Sequence, residues 1–412
     1  MKRSTNSPEP IYKTIGELFD HGFRIDWVTA SFITITHLIL LVATPLAYYF
    51  APEGLWKIML GWTLIHAFIG SLSTTVYSHR LIAHGAARYI SWPVHIIFGF
   101  IGQILAMQGT ARQWSANHVI HHSVDRTGKH ELDPYSATWF TTGWRNFLWS
   151  HMLTYFFYHP ESKEAERAYA SKNSAPLLWQ ERLYLPLLIL LNFLVPMVVG
   201  YMLAGFIGAF CMLMASVGGF ILCQHNTWTV NSVTHMWGFT KGAFSSAKNN
   251  YIWMGPMGEG NHHADHHDFG RDYRNGFGWS GWLLDPTRYV ILLLNALGLV
   301  KGLHRASKRQ EAEIIARRQL DRAQARTQHP LWKKWEAKLD QLRNDWVEAT
   351  QRWEAFKAEK IKLQSMQLPS MEVRQKLDRL KLEMEVAKRA MRARRQAFFD
   401  ALYEMRAVQF AS

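Results

Sequence analysis

His118, His121 and His122 occupy positions i, i+3 and i+4 in the stretch Asn117-His118-Val119-Ile120-His121-His122. On a helix those positions share one face, so three imidazoles would converge on one side. Neutral imidazole is the commonest protein ligand for a metal, and three rings held together are costly unless something binds them. The same spacing recurs in His263-Ala264-Asp265-His266-His267, and His79-x4-His84 and Asn231-x3-His235 add to the set. At roughly four to six ligands per ion, this many imidazoles call for two metals, and an all-imidazole set suits Fe, Cu, Zn or Ni. Asn231, on the same helical face as His235, could hold a metal-bound water. His79 and His84 would lie about 140° apart around an α-helix, so they should approach the site from its flank. The two cysteines, Cys211 and Cys223, both sit in an apolar run, which leaves neither a thiolate metal site nor a disulfide framework.

The elements that must carry these side chains are long and apolar. Residues 27–50 are uncharged and long enough to cross a bilayer, which takes about 20 residues. A very short linker leads to a second uncharged run over 58–78, with His79 just beyond it. From Leu183 to Gln224 the chain carries no charge at all. That length accommodates two more spans, over 183–204 and 207–228, with the turn among Gly200, Gly205 and Gly208. His37 and His66 lie inside spans, are isolated, and read as hydrogen-bonded core residues. The run 89–109 could also cross, but crossing would put His79 and His84 on the opposite face from His118, His121 and His122. One metal site cannot be built across a bilayer, so this run, and the shorter 289–300, read as lying in the interface. Lys and Arg lie before Trp27, between the hairpins and after the second hairpin. By the positive-inside rule, both termini and the metal site are cytoplasmic. The N-terminus is polar through Arg24, which argues against a cleaved signal peptide.

Charge divides the chain differently. From Lys301 onward there are 26 Lys/Arg and 15 Asp/Glu, so this tail carries +11 of the formal +14. The remainder is nearly balanced, so the basic character belongs to the tail and points to a membrane surface rather than nucleic acid. Trp332, Trp335, Leu339, Leu342, Trp346, Ala349, Trp353 and Phe356 alternate by three and four, as do apolar residues from Val373 to Val408. Leu368-Pro369-Ser370 breaks the pattern between them. An antiparallel helical hairpin with a narrow apolar seam follows. The expected architecture is therefore all-α. A segment over 1–26 precedes a membrane domain over 27–302 with four transmembrane helices and a helical cap holding a histidine-rich di-metal site, and a charged tail covers 303–412.

A redox-capable metal pair beside a lining rich in Trp, Phe and Leu suits oxidation of an unactivated C–H bond in a lipid chain. In its order of histidines, the chain resembles the membrane fatty acid desaturases, specifically the stearoyl-CoA desaturase type. The resemblance extends to His79-Arg80-Leu81, Asp133-Pro134-Tyr135-Ser136, Thr227-Trp228-Thr229-Val230-Asn231-Ser232, Gly258-Glu259-Gly260 and Asp272-Tyr273-Arg274-Asn275-Gly276. It covers residues 25 to 300 and leaves the tail outside. It implies a di-iron centre using O2 and two electrons to place a cis double bond, usually at the Delta-9 position, in a saturated acyl chain. It also implies His79, His84, His118, His121, His122, Asn231, His235, His263, His266 and His267 as the metal set, and Gln108, Trp114 and Thr227 at the kink of an acyl tunnel.

The chain departs from the family at Val119 and Ala116, where basic residues are common near the CoA head. Acyl-CoA and acyl-lipid substrates both stay open. One extra residue after Gly260 sets His262 against His263 as ligand, and the i, i+3, i+4 face favours His263. With no haem-binding domain or cysteine cluster, electrons must come from a separate donor such as a ferredoxin or a b-type cytochrome. A lipid hydroxylase or ketolase, which shares the di-metal chemistry, and a zinc-binding membrane scaffold without activity are the alternatives.

Overall fold

The computed structural model describes residues 12–125, 133, 135, 140, 143–169, 174–243, 245–250, 259–327, 329–365 and 371–411. The chain divides into two compact units, Met1–Arg305 and Ala306–Ser412. Among the described residues nearly all regular structure is helical. The exceptions are three two-residue antiparallel pairings, Arg24–Ile25 with Phe157–Tyr158, Tyr89–Ile90 with Val300–Lys301, and Thr240–Lys241 with Lys248–Asn249, and an isolated parallel bridge between Tyr12 and Phe140.

In the first unit, Asp26 starts the Trp27–Phe50 helix by accepting the Thr29 N–H at 3.1 Å. Such a cap contributes about 1 kcal/mol. The chain reverses at Gly54, whose φ of 78° favours a residue without a side chain. The return helix, Leu55–Ser73, runs without a break into a π-helix over Thr74–Ala83. This second element is therefore longer than the expected 58–78, and it carries His79 within its last turns rather than beyond them.

The next long helix, Val195–Met236, preceded by turns from Tyr184, contains a reversal. Ala204 and Gly205 leave helical geometry, with Gly205 at φ 62°. Residues eight apart in a straight helix are about 12 Å from one another. Here a methyl group on Gly200 would come within 2.1 Å of the Gly208 carbonyl oxygen, so the chain folds back where the glycines sit. The second arm continues to Met236 and thereby brings Asn231 and His235 in on a membrane-capable helix. It packs on the Leu55–Ser73 helix through Met59, Met212, Ala215, Phe220 and Ile221. Polar contacts pin this seam as well. Thr63 donates to the Ala215 carbonyl at 2.8 Å, while His66 bridges Ser216 at 3.2 Å and the Leu105 carbonyl at 2.9 Å.

Among the described residues of this unit three helical stretches are long and apolar enough to cross a membrane: Trp27–Phe50, Leu55–Ala83 and Tyr184–Met236. Their outward side chains include Leu41, Leu46, Tyr201 and Phe206, all exposed, as a lipid-facing surface requires. Between them, Trp92–Ala106 and Ala111–Val124 meet at 78°. Met107 and Gly109, both at positive φ, make the bend, and Thr110 starts the second helix by accepting the Gln113 N–H. The 289–300 run forms the short helix Pro286–Ala296, which buries Ile291 and Leu294 and leaves Leu293 and Tyr289 exposed.

Among the described residues the second unit has three helices, Lys308–Arg326, His329–Gln364 and Met371–Ala411, rather than the expected two. Ser307 and Gln310 form a reciprocal capping box that starts the extra helix. It contributes Ala312, Ala316, Leu320 and Ala323 to a core shared with Trp332, Leu339, Trp346, Phe398 and Met405. Alanines gave it no conspicuous apolar seam among its many charges. The break at Leu368-Pro369-Ser370 lies outside the described residues.

Candidate metal centre

Among the described residues two groups of histidines come together in the first unit. His79, His84, His118, His122 and His266 place one ring nitrogen each within 4.8 Å of the others, and so do His121, His235 and His267. In the first group, the Nε2 atoms of His79 and His266 are 2.7 Å apart, those of His84 and His118 2.9 Å, and those of His122 and His266 3.2 Å. In the second, the Nε2 atoms of His121 and His235 are 3.2 Å apart. The Nε2 of His263 stands 2.9 Å from that of His235, at the edge of the group.

The flank approach expected of His79 and His84 rested on α-helical geometry, and the structure corrects it. The π-helix closes i to i+5, as the His84 N–H to His79 carbonyl bond of 3.1 Å does. Residues five apart therefore stack on nearly the same face, and both rings enter one group. Long π-helical runs are rare and concentrate at functional sites.

The partners of the second nitrogen on each ring decide what can lie between the groups' members. His121 Nδ1 is 2.9 Å from the Asp133 carboxylate, so its proton sits there and its Nε2 is bare. His235 Nδ1 is 2.8 Å from Ser246 Oγ, and that hydroxyl donates its own proton to Asp125, so His235 too must donate from Nδ1. With both rings neutral, two buried Nε2 lone pairs face each other at 3.2 Å, and either a proton on His121 or a cation between them satisfies the pair. Two ligands at right angles around an ion about 2.1 Å away would be about 3.0 Å apart. His267 directs Nδ1 at Asp125 at 3.2 Å, extending the same carboxylate–histidine pattern. The residues thus fit a metal pair.

Burial favours the neutral ligand form at several of these rings. Burial holds His263 and His266 well below the ordinary imidazole value, hence neutral at pH 7. Burial also pulls on His121, but the charge and hydrogen bond of Asp133 outweigh it and leave that ring raised. Glu259 is buried, accepts from Thr75, and lies 3.5 Å from His79 Nδ1. Burial would raise its carboxyl, yet His79 and Arg80 hold it lowered. Arg80, fully buried, packs against His266 and donates to the Asp272 carbonyl.

The remaining expected residues fall into place around this core. Asn231 is buried one turn from His235. His262 sits outside both groups, 3.3 Å from Asp265 and packed so closely on Gly276 that a methyl there would lie 2.3 Å from its ring. Gln108, Trp114 and Thr227 form a single chain. Trp114 stacks on His118 at 5.0 Å and donates to Gln108 at 3.3 Å, and Gln108 donates to Thr227 at 2.9 Å. Sequence reasoning did not assign Asp125 and Ser246. Asp125, one turn past His121, had a positional signal, whereas Ser246 had none.

The chain is similar to curated proteins of known activity. It is 30% identical over 290 residues to the sn-2 palmitoyl-lipid 9-desaturase of Nostoc sp. (strain 36), covering 68% of this chain and 90% of that protein. Identity to the stearoyl-CoA desaturase of Bos taurus is 29%, over 62% of this chain and 68% of the relative. For acyl-CoA desaturase 1 of Saccharomyces cerevisiae it is 27%, over 68% of this chain and 53% of the relative. No family model matches the chain.

Proposed function

The chain belongs to the membrane fatty acid desaturases of the stearoyl-CoA desaturase type, and from that premise we propose that it introduces a cis Delta-9 double bond into a saturated acyl chain at a di-iron centre. The observation that carries this reading is the pairing of two buried imidazole groups with the Trp114–Gln108–Thr227 chain that leads away from His118. As an oxidoreductase it needs a redox-active metal, which the all-imidazole donor set accommodates. A bound iron pair, with O2 and two electrons, supplies the oxidising power to remove two hydrogens from adjacent carbons.

Each part of the protein then has a defined task. His79, His84, His118, His122 and His266 would hold one ion, and His121, His235, His263 and His267 the other, with Asn231 beside them. Asp133, Asp125 with Ser246, and Glu259 fix ring orientation from behind, the role that outer partners play at metal sites. Trp114, Gln108 and Thr227 would set the bend of the acyl chain. Their hydrogen bonds are satisfied by one another, so the wall they present costs little to line with an apolar substrate. Burial of the rings excludes water, which keeps oxidising chemistry from side reactions. The positive-inside rule supports a cytoplasmic site and cytoplasmic termini. Electrons would come from a separate ferredoxin or b-type cytochrome. The names of the relatives favour neither acyl-CoA nor acyl-lipid as substrate.

Lipid profiling of a host expressing the protein tests this reading. A new cis-9 monoene without a hydroxylated product is expected. A hydroxy or keto lipid would transfer the protein to the hydroxylase class. Zinc in the purified protein with an unchanged lipid profile would leave only a scaffold.

A further inference from the structure

Three further imidazoles, outside both metal groups, form a continuous chain. His37 Nδ1 is 2.7 Å from the Ile33 carbonyl, and its Nε2 is 3.2 Å from His225 Nε2. His225 Nδ1 is 3.0 Å from His151 Nε2, and His151 Nδ1 is 3.1 Å from Ser232 Oγ. Trp228 lies against all three rings. No single point is shared by the three, because His225 uses its two nitrogens on opposite neighbours. That geometry suits no common metal ion.

Counting protons shows what it does suit. The Ile33 carbonyl can only accept, so His37 carries its proton on Nδ1 and accepts at Nε2. His225 must then donate from Nε2, and His151 from its own Nε2. The last link needs the Ser232 hydroxyl as donor. Three neutral rings and one hydroxyl thus satisfy every link in one polarity. Ser232 has a second acceptor within reach, the Trp228 carbonyl at 2.9 Å. If the hydroxyl turns to it, the His151 link is kept only when His151 carries a proton on Nδ1 as well. One extra proton can therefore enter at Ser232 and pass from ring to ring with no link lost.

We propose that His37, His225, His151 and Ser232 form a one-proton store beside the metal centre, taking up a proton and handing it back within each turnover. The proposal rests on the desaturase reading for its use. Ser232 adjoins Asn231 and lies three residues from His235 on the same helix. Over a turnover two C–H bonds break, a C=C bond forms, and O2, two electrons from the separate donor and two protons from solvent join the two hydrogens as two waters. The stored proton cancels from this balance, and its role is to be at hand when a proton is moved. Burial holds His151 down at about 4, so an extra proton on that ring is a transient one.

Two measurements test the store. NMR of full-length protein with 15N-labelled imidazoles needs no turnover. It should find the proton of His37 on Nδ1 and those of His225 and His151 on Nε2 at neutral pH. A His151 proton on Nδ1 in the resting protein would overturn the polarity and with it the store, whatever the activity proves to be. In the turnover assay, Ser232→Ala should lower kcat about ten-fold and raise the solvent deuterium isotope effect at unchanged KM and metal content, with Ser232→Thr restoring both. His225→Gly should regain turnover when imidazole is added. Unchanged kcat in Ser232→Ala, or a loss explained by lost metal, would reduce the chain to a structural brace. Absence of any alkene from the wild type would instead overturn the desaturase reading and leave the NMR result to judge the store.

Discussion

The two units solve opposite burial problems. In Met1–Arg305 ionisable groups share the interior with the apolar core: Arg80, Asp272, Glu259, Asp285, His121 and His266 are buried, while Leu41, Phe50, Met202 and Phe206 face outward. In Ala306–Ser412 the arrangement is the ordinary one, with Trp332, Leu339, Trp346, Phe398 and Met405 inside and ionised residues outside. Charged side chains are almost never fully buried unless paired. The contrast teaches that the first unit is shaped by its surroundings and its chemistry, and the second by packing alone. A substitution that removes a polar group should therefore be severe in the first unit and mild in the second, and removal of an apolar group should be felt in the second as loss of stability without loss of chemistry.

The largest effect is expected at the metal groups. His121→Ala and His266→Ala should each lower desaturation by more than about a hundred-fold, beyond the usual cost of losing a partner behind a ligand. Each should also reduce bound metal, measured by elemental analysis of purified protein. A fully active His266→Ala protein would remove that residue from the ligand set. Next in size is the buried ion pair of Asp272 and Arg274, 2.6 Å apart with the Asp272 side chain fully enclosed. Asp272→Ala leaves the guanidinium buried without that partner and should cost about 3–5 kcal/mol, read by thermal or denaturant unfolding of the first unit.

Much of this was legible in the sequence because it depends on short-range periodicity. Histidines at i, i+3 and i+4 need only a helix to converge, and uncharged runs of bilayer length announce themselves. The glycines at 200, 205 and 208 marked the reversal. What escaped depends on the backbone departing from its usual period or on distant contacts. Nothing in Thr74–Ala83 signals a π-helix, so His79 and His84 were expected on different faces. Ser246 reaches His235 from a loop, and no spacing rule connects them. The Lys308–Arg326 helix was missed for a third reason, since alanines bury against tryptophans without forming a seam that stands out from the charges.

The second unit gives the next test of the contrast. Leu339 is fully buried, and Leu339→Ala should destabilise this unit by about 2–5 kcal/mol through lost burial and the cavity left behind. Metal content should be unchanged, and a parallel fall in metal would tie the units together energetically. Smaller still are the effects at Gln108 and Thr227, which touch no candidate ligand directly. Gln108→Ala and Thr227→Val should change turnover or chain-length preference several-fold, about 1 kcal/mol at the transition state, with metal retained. A product distribution identical to wild type in both would dissociate them from the acyl path.

The smallest effect is the sharpest test of the contrast, because it repeats the chemistry of the Asp272–Arg274 pair in the other unit. Lys338 and Glu404 join the second and third helices of the tail by an ion pair of 3.2 Å, with more than half of each side chain exposed. Water and salt screen such a pair, and ordering two long side chains offsets much of the attraction. Lys338 also lies over the Trp335 ring at 4.5 Å, so its removal alone would mix two interactions. A double-mutant cycle with Lys338→Met and Glu404→Gln isolates the pair itself. The coupling should be about 0.5 kcal/mol or less and should vanish at high salt. A coupling as large as the loss in Asp272→Ala would mean that charge pairing, and not apolar packing, holds the tail together, and the comparison between the two units would fail.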